Sequence, residues 1–379
     1  MLFALLRSAL CGEALTDKER ELYNAKILPK LVLLAKKHDV SHLLLLGLKN
    51  NGLLDENSKK LENEMFKAVY RYETQSHELK RLCEALEQSR IPFIPLKGSV
   101  IRNYYPKPWM RTCCDIDILV HEKDADKAVA TLTEQYGYEY HGKGSHDISL
   151  FTSMHTHIEL HYDLVEEGIA NESSEVLKNV WDMAVVRDGY DFWYEMPDEY
   201  YYFYHIAHMA KHFENGGCGI RPFIDLWILE NIQEADKEKR DKLLNQGNLL
   251  KFAKAARKLS QIWLSYEQYD LISKQLEDYI LRGGVYGNSE NRITVQQQKK
   301  GGRIGYALSK IFIPYEVIKF YYPILQKHRW LTPFMEVRRW CRLIFCGHAE
   351  RTIRELRYNQ SISADEADAT KDLLLSIGL

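Results

Sequence analysis

The chain has 379 residues, 45% of them hydrophobic and 27% charged, and 51 basic against 53 acidic side chains leave a net charge of −2. That is the composition of a globular protein with room for more than one core, and it excludes a mostly disordered chain. The balanced charge argues against wrapping nucleic acid by charge alone. No run approaches the ~20 apolar residues that cross a bilayer, and the apolar stretches, such as Leu43–Leu46, are short.

Seven cysteines, with Cys113 and Cys114 adjacent and no C-x-x-C pair, argue against a disulfide framework or a structural zinc site. The first residues, Met1 to Arg7, lack the basic start and extended apolar core of a secretory leader, which places the protein in the cytoplasm as an expectation.

Residues 1–90 read as helical, because Leu28, Leu31 and Leu34 and then Leu43 and Leu46 recur at three and four. Residues 63–89 contain neither Gly nor Pro and alternate charge with Met65, Val69, Leu79, Leu82 and Leu86, the pattern of a long amphipathic helix. The period then changes. Residues 91–96 are short and apolar, residues 115–120 alternate carboxylate and apolar side chains, and residues 157–162 alternate strictly, so all three read as strands. Between them lie a helix over 123–136 and two short strands at 138–141 and 148–151. The helical period returns beyond about 170. Asp198 suits a helix N-cap, and further helices read at 221–232, 248–265 and 268–282. Residues 283–304 are rich in Gly, Gln, Asn and Lys and read as a mobile loop, with helices resuming after it. The expected fold is α+β: a small mixed-sheet core over 91–170, an N-terminal helical region over 1–90 and a C-terminal helical region over 171–379.

Three pieces carry chemistry. Gly98-Ser99 follows a strand and opens a helix, where a glycine lets backbone approach a ligand and helix N–H groups face a phosphate; alone, it is an ordinary turn. Asp115 and Asp117 are two apart on a strand, so both carboxylates point to one side and Ile116 and Ile118 to the other. Paired carboxylates repel and lose hydration, a cost that a hard divalent cation such as Mg²⁺ removes. By the same parity His157, Glu159 and His161 share one face. A third carboxylate there would complete a two-metal site and accept a proton from an attacking hydroxyl.

The order of strand, Gly-Ser, helix, Asp-x-Asp strand and later acidic strand resembles the core of the DNA polymerase beta-like nucleotidyltransferase superfamily. It is closer still to one branch, the uncharacterised bacterial nucleotidyltransferases. The matching stretches are Pro95 to Ser99, Tyr105-Pro106, Arg111, Asp115 to Val120, Ile158 to His161, His205-x-x-His208, Arg221 with Asp225, Tyr322-Pro323 and Arg338-Arg339-Trp340. The resemblance implies Mg²⁺-dependent transfer of a nucleoside monophosphate to a hydroxyl. Two ions are expected, with Mn²⁺ as a substitute. Asp115, Asp117 and Glu159 would be catalytic metal ligands. Gly98 and Ser99, and secondarily Lys97 and Arg111, would hold the phosphates of a nucleoside triphosphate, ATP being the first expectation. His161, His205, His208, Arg221 and Asp225 would meet the acceptor, a small molecule or a glycan-related compound. A protein or RNA acceptor and a non-catalytic nucleotide sensor are the competing readings. The presence of all three carboxylates favours the enzyme.

Two features stand apart. His205, His208 and His212 share a helical face, a weak zinc signal without a Cys or HExxH pattern, and Arg221 with Asp225 is spaced for a simple i,i+4 ion pair. Residues 299–357 hold thirteen Lys or Arg, four Glu and ten aromatics, a net +9. The leading reading is an amphipathic face folded on the acidic remainder. The alternatives are RNA, an anionic membrane surface or a phosphorylated acceptor.

Overall fold

The computed structural model describes the chain apart from residues 25, 56–57, 167–169, 233–234, 288 and 346–348. Its centre is a five-stranded mixed sheet in the order β1-β2-β5-β4-β3. The strands are β1 Phe93–Pro95, β2 Asp115–Val120, β3 Glu139–Lys143, β4 Asp147–Phe151 and β5 His157–His161. β2 runs parallel to β5, and the remaining neighbours are antiparallel.

Alternation sets the two faces. Ile116, Ile118 and Val120 of β2, Ile148 and Leu150 of β4, and Ile158 and Leu160 of β5 bury one side against Leu82 and Leu86 of the long helix Glu62–Gln88 and Ala125, Ala128 and Leu132 of the helix Glu122–Tyr136. Truncating one of these buried Leu or Ile side chains to Ala would cost ~2–5 kcal/mol. The other face carries Asp115, Asp117, His157, Glu159 and His161 toward the helix Asp198–Glu214 and its successor Arg221–Ile232. Those two helices lie in a larger core. That core joins the N-terminal helices Leu2–Cys11 and Ser41–Asn50 to the helices Asp198–Glu214, Arg221–Ile232 and Leu250–Ser265.

Most expected elements appear within a residue or two. Asp198 is the first helical residue rather than the cap, a position that Pro197 takes. The expected loop over 283–304 is corrected more substantially, since Ser289–Lys299 forms a helix and another begins at Gly302. Glutamine and lysine are good helix formers. Ile293, Thr294, Val295 and Gln297 are buried, so packing closes what composition left open. Position 288 lies outside the described residues. No helix among the described residues is long and apolar enough to cross a membrane.

Candidate active site

The parallel register of β2 and β5 sets Asp117 beside Glu159 and Asp115 beside His157. Ligand atoms of Asp115, His157 and Glu159 lie within 4.8 Å of one another, as do those of Asp117, Glu159 and His161. Asp117 is buried, and its Oδ1 accepts from Lys97 Nζ at 2.7 Å and meets His161 Nε2 at 2.9 Å. Burial alone would raise the Asp117 pKa; Lys97 and His161 outweigh it and hold the carboxyl well below the usual range. Asp115 goes the other way. Burial and the neighbouring Asp117 and Glu159 charges raise it to about 6, and no side chain donates to it among the described residues.

Lys97 is delivered by a strained backbone, φ 44° and ψ −123°, a region that L-residues occupy at roughly 1–3 kcal/mol. Its carbonyl accepts from Tyr201 Oη at 2.8 Å, and the Val100 and Ile101 amides also bond to it. The left-handed residue of this turn is therefore Lys97 and not Gly98. Gly98 needs its missing side chain for another reason: an added Cβ would meet Cys113 Cβ at 3.0 Å and Sγ at 3.1 Å. The Ser99 amide donates to Leu96 O at 3.2 Å, and the Ser99 hydroxyl is buried without a partner among the described residues.

These groups form one wall of a cavity of about 270 Å³. Lys97, Gly98, Arg111, Asp115, Asp117, Glu159, His205, His208, Arg221 and Asp225 all line it, whereas Ser99 and His161 do not. A second cavity of about 280 Å³ shares Lys97, Tyr204 and His208 with the first and is lined by His161 as well.

The far wall is more tightly bonded than the sequence suggested. Arg111 is not a free cation, since its Nε and Nη2 fork onto Asp225 at 2.8 Å each and its Nη1 donates to Thr112 O. Tyr105 Oη donates to the same carboxylate at 2.6 Å. Burial would raise Asp225, but the Arg111 charge and these bonds keep it low. The expected Arg221–Asp225 pair is replaced: Arg221 reaches Asp39 Oδ2 at 2.9 Å and Thr112 O at 2.7 Å. Spacing on one helix allowed the pair, but tertiary partners on either side are closer to hand. His205 Nε2 is tied to Pro222 O at 2.9 Å. His208 and His212 stack edge to face with centroids 4.5 Å apart. Burial and the Lys97 charge depress both imidazoles, His212 to about 4, which keeps them neutral.

Residues 28–265 match the model of a family described as an uncharacterised nucleotidyltransferase. The chain belongs to this family. No curated protein and no solved structure matches it. Family membership makes the chain a transferase acting on a nucleotide. Acidic side chains suited to the divalent metals such enzymes commonly use sit together on β2 and β5.

In this nucleotidyltransferase several wall residues escaped sequence reasoning. Tyr201 and Tyr204 precede His205 and His208 in the same helical stripe, so the i, i+3, i+4, i+7 spacing was their signal. Cys113, Cys114 and Tyr286 also line the cavity. Asp39 anchors Arg221 from 182 residues away, and no local pattern announces that contact.

Proposed function

We propose that the protein transfers a nucleoside monophosphate from a metal-bound nucleoside triphosphate to a hydroxyl of a small or glycan-related acceptor. The observation that carries this reading is the cluster of Asp115, Asp117 and Glu159 on one wall, with Lys97 as the adjacent cation. A bare polyanion would be repelled by that wall, whereas a nucleotide carrying a divalent cation would not. The donor set fits such an ion. It offers hard carboxylate oxygens, and the raised pKa of unpartnered Asp115 is the cost of like charges that a cation relieves. Asp115, Asp117 and Glu159 would hold Mg²⁺, or Mn²⁺ in its place. When bound, the metal supplies charge neutralisation between carboxylates and phosphates.

The chain's own groups do the rest. Lys97 fixes the Asp117 carboxylate and faces the phosphates. Gly98 offers its amide on the cavity wall, since the Ser99 amide is already bonded, and the Ser99 hydroxyl is an orphan donor one residue behind. Arg111 and Arg221 act as braces that keep the opposite wall in place. The acceptor oxygen attacks the α-phosphorus while Glu159 takes its proton. The bond from the α-phosphorus to the bridging oxygen breaks, and pyrophosphate leaves with that electron pair. Positioning and charge stabilisation are the main contributions. The second cavity, with Lys211 paired to Glu166 at 2.6 Å and with Asn171, Ser173 and Asn248 on its walls, suits an uncharged, hydroxylated acceptor. Neutral His208, common to both cavities, would bond its hydroxyl.

The test is incubation with Mg²⁺ and each nucleoside triphosphate labelled at the α-phosphate, following pyrophosphate release and label transfer to candidate polyols and sugars. Transfer that vanishes in Asp117→Asn supports the reading. Label accumulating on the protein itself points to a protein acceptor, and tight binding without turnover points to a sensor.

A further inference from the structure

The basic segment 299–357 lies outside the part of the chain that matches the family. Its expected seat on the acidic remainder is seen at one edge. Lys299 pairs with Glu214 at 2.9 Å. The other ion pairs of its cations turn inward, Lys310 to Glu355 and Arg339 to Glu336 among the described residues.

Among the described residues, the helix Thr332–Phe345 is pinned from one side only. Glu336 accepts from the Ile313 amide and from Arg339 Nε, both at 2.8 Å, and Trp340 Nε1 donates to Ile311 O at 2.8 Å. Its opposite side is open. Phe334, Val337, Cys341 and Ile344 recur at three and four, forming one stripe with Phe345, and all five are exposed, Phe345 to 85%. Arg338 and Arg342 follow the stripe along one edge, exposed and without ion pairs among the described residues. Trp330, 69% exposed, extends the patch, its ring 6.4 Å from that of Phe334, and Lys327 and Arg329 lie on the same exposed turn.

We propose that this face docks on an anionic lipid bilayer, the rings and aliphatic side chains entering the headgroup–acyl boundary and the arginines meeting lipid phosphates. An apolar centre with long cations at its margin is the arrangement of an interfacial helix. A single-stranded RNA would want aromatics lining a basic groove, and Val337 and Ile344 offer nothing to stack on. A second copy would need acids opposite the arginines, but Glu336, the one acid between 323 and 345, is buried.

The experiment is co-sedimentation of the full chain with phosphatidylcholine vesicles and with vesicles containing about one third phosphatidylserine, the charge supplying attraction of the kind seen at cytoplasmic leaflets. The chain is expected to bind the anionic vesicles and not the neutral ones, with binding lost at high salt. Arg338→Gln with Arg342→Gln is expected to weaken it roughly thirtyfold, from the worth of two surface cations near such a membrane. Phe334→Ser with Phe345→Ser is expected to weaken it at least as much, with unchanged thermal unfolding. Equal binding to both vesicle types, or patch variants that bind like the parent, would overturn the proposal. So would a dimer that Phe345→Ser disperses, or RNA binding that the same variants abolish.

Discussion

Lys97 Nζ lies 2.7 Å from Asp117 Oδ1, and the residue that delivers it sits at a positive φ. Asp117 is buried, and it attracts the ammonium strongly enough, against the effect of burial, to hold the Lys97 pKa above its usual value. Removing the cation strands the carboxylate. Lys97→Met should therefore cost ~3 kcal/mol in urea unfolding and weaken triphosphate binding. A variant as stable as the parent would mean the pair is structurally idle.

Arg111 and Asp225 should behave as a brace. Arg111→Met leaves a buried carboxylate facing Tyr105 and should lose ~3–5 kcal/mol. Adding Asp225→Leu should recover most of it, giving a large coupling in a double-mutant cycle measured by chemical unfolding. A direct phosphate ligand would instead show lost nucleotide affinity with stability unchanged.

Gly98 is predicted to be a stability position first. Gly98→Ala presses a Cβ onto Cys113 and should cost ~1–3 kcal/mol as overpacking. Cys113→Gly in the same chain should offset part of that loss, although Cys113 Sγ also bonds Gln75 at 3.0 Å. Strict additivity of the two changes would show that they do not touch.

Acid should destabilise the fold above the range in which ordinary carboxylates titrate, with Asp115, raised to about 6, as the exception of opposite sign. His38 is fully buried, and burial followed by the Lys37 charge pushes its pKa down to about 4. The unfolded chain takes up a proton near 6.5 that the native chain refuses. Stability is thus intact above that pH and falls as pH drops from 6.5 toward 4, by at most ~1.4 kcal/mol per unit and ~3 kcal/mol in all from this residue. His205, His208 and His212 share the sign. Urea midpoints measured between pH 7 and 4 should show a shallower slope in His38→Leu than in the parent.

The carboxylate wall was legible because strand parity is a local property: two residues of spacing in β2 and in β5 decide the face. The histidine stripe was legible for the same reason at helical spacing. What a side chain meets across the cavity is set by elements far apart in sequence. Spacing therefore suggested Arg221–Asp225, while the fold pairs Arg221 with Asp39 and Asp225 with Arg111. The turn at 97–99 lies where the sequence puts it, but no local pattern announces that Lys97 takes the positive φ. A Lys at positive φ runs against local preference, and its bond to Asp117 and the three donors on its carbonyl hold it there. Residues 289–299 read as a loop because polar composition hides a helix whose buried contacts are long-range.

The most direct test is equilibrium binding of each nucleoside triphosphate to the parent and to Asp117→Asn, with and without Mg²⁺, alongside thermal unfolding of both. Binding in the parent should require the metal, and Asp117→Asn should lose at least ~10-fold, the scale on which metal-site groups change affinity, in a protein that still unfolds cooperatively. Metal-independent binding, or a folded Asp117→Asn chain that binds like the parent, would contradict it.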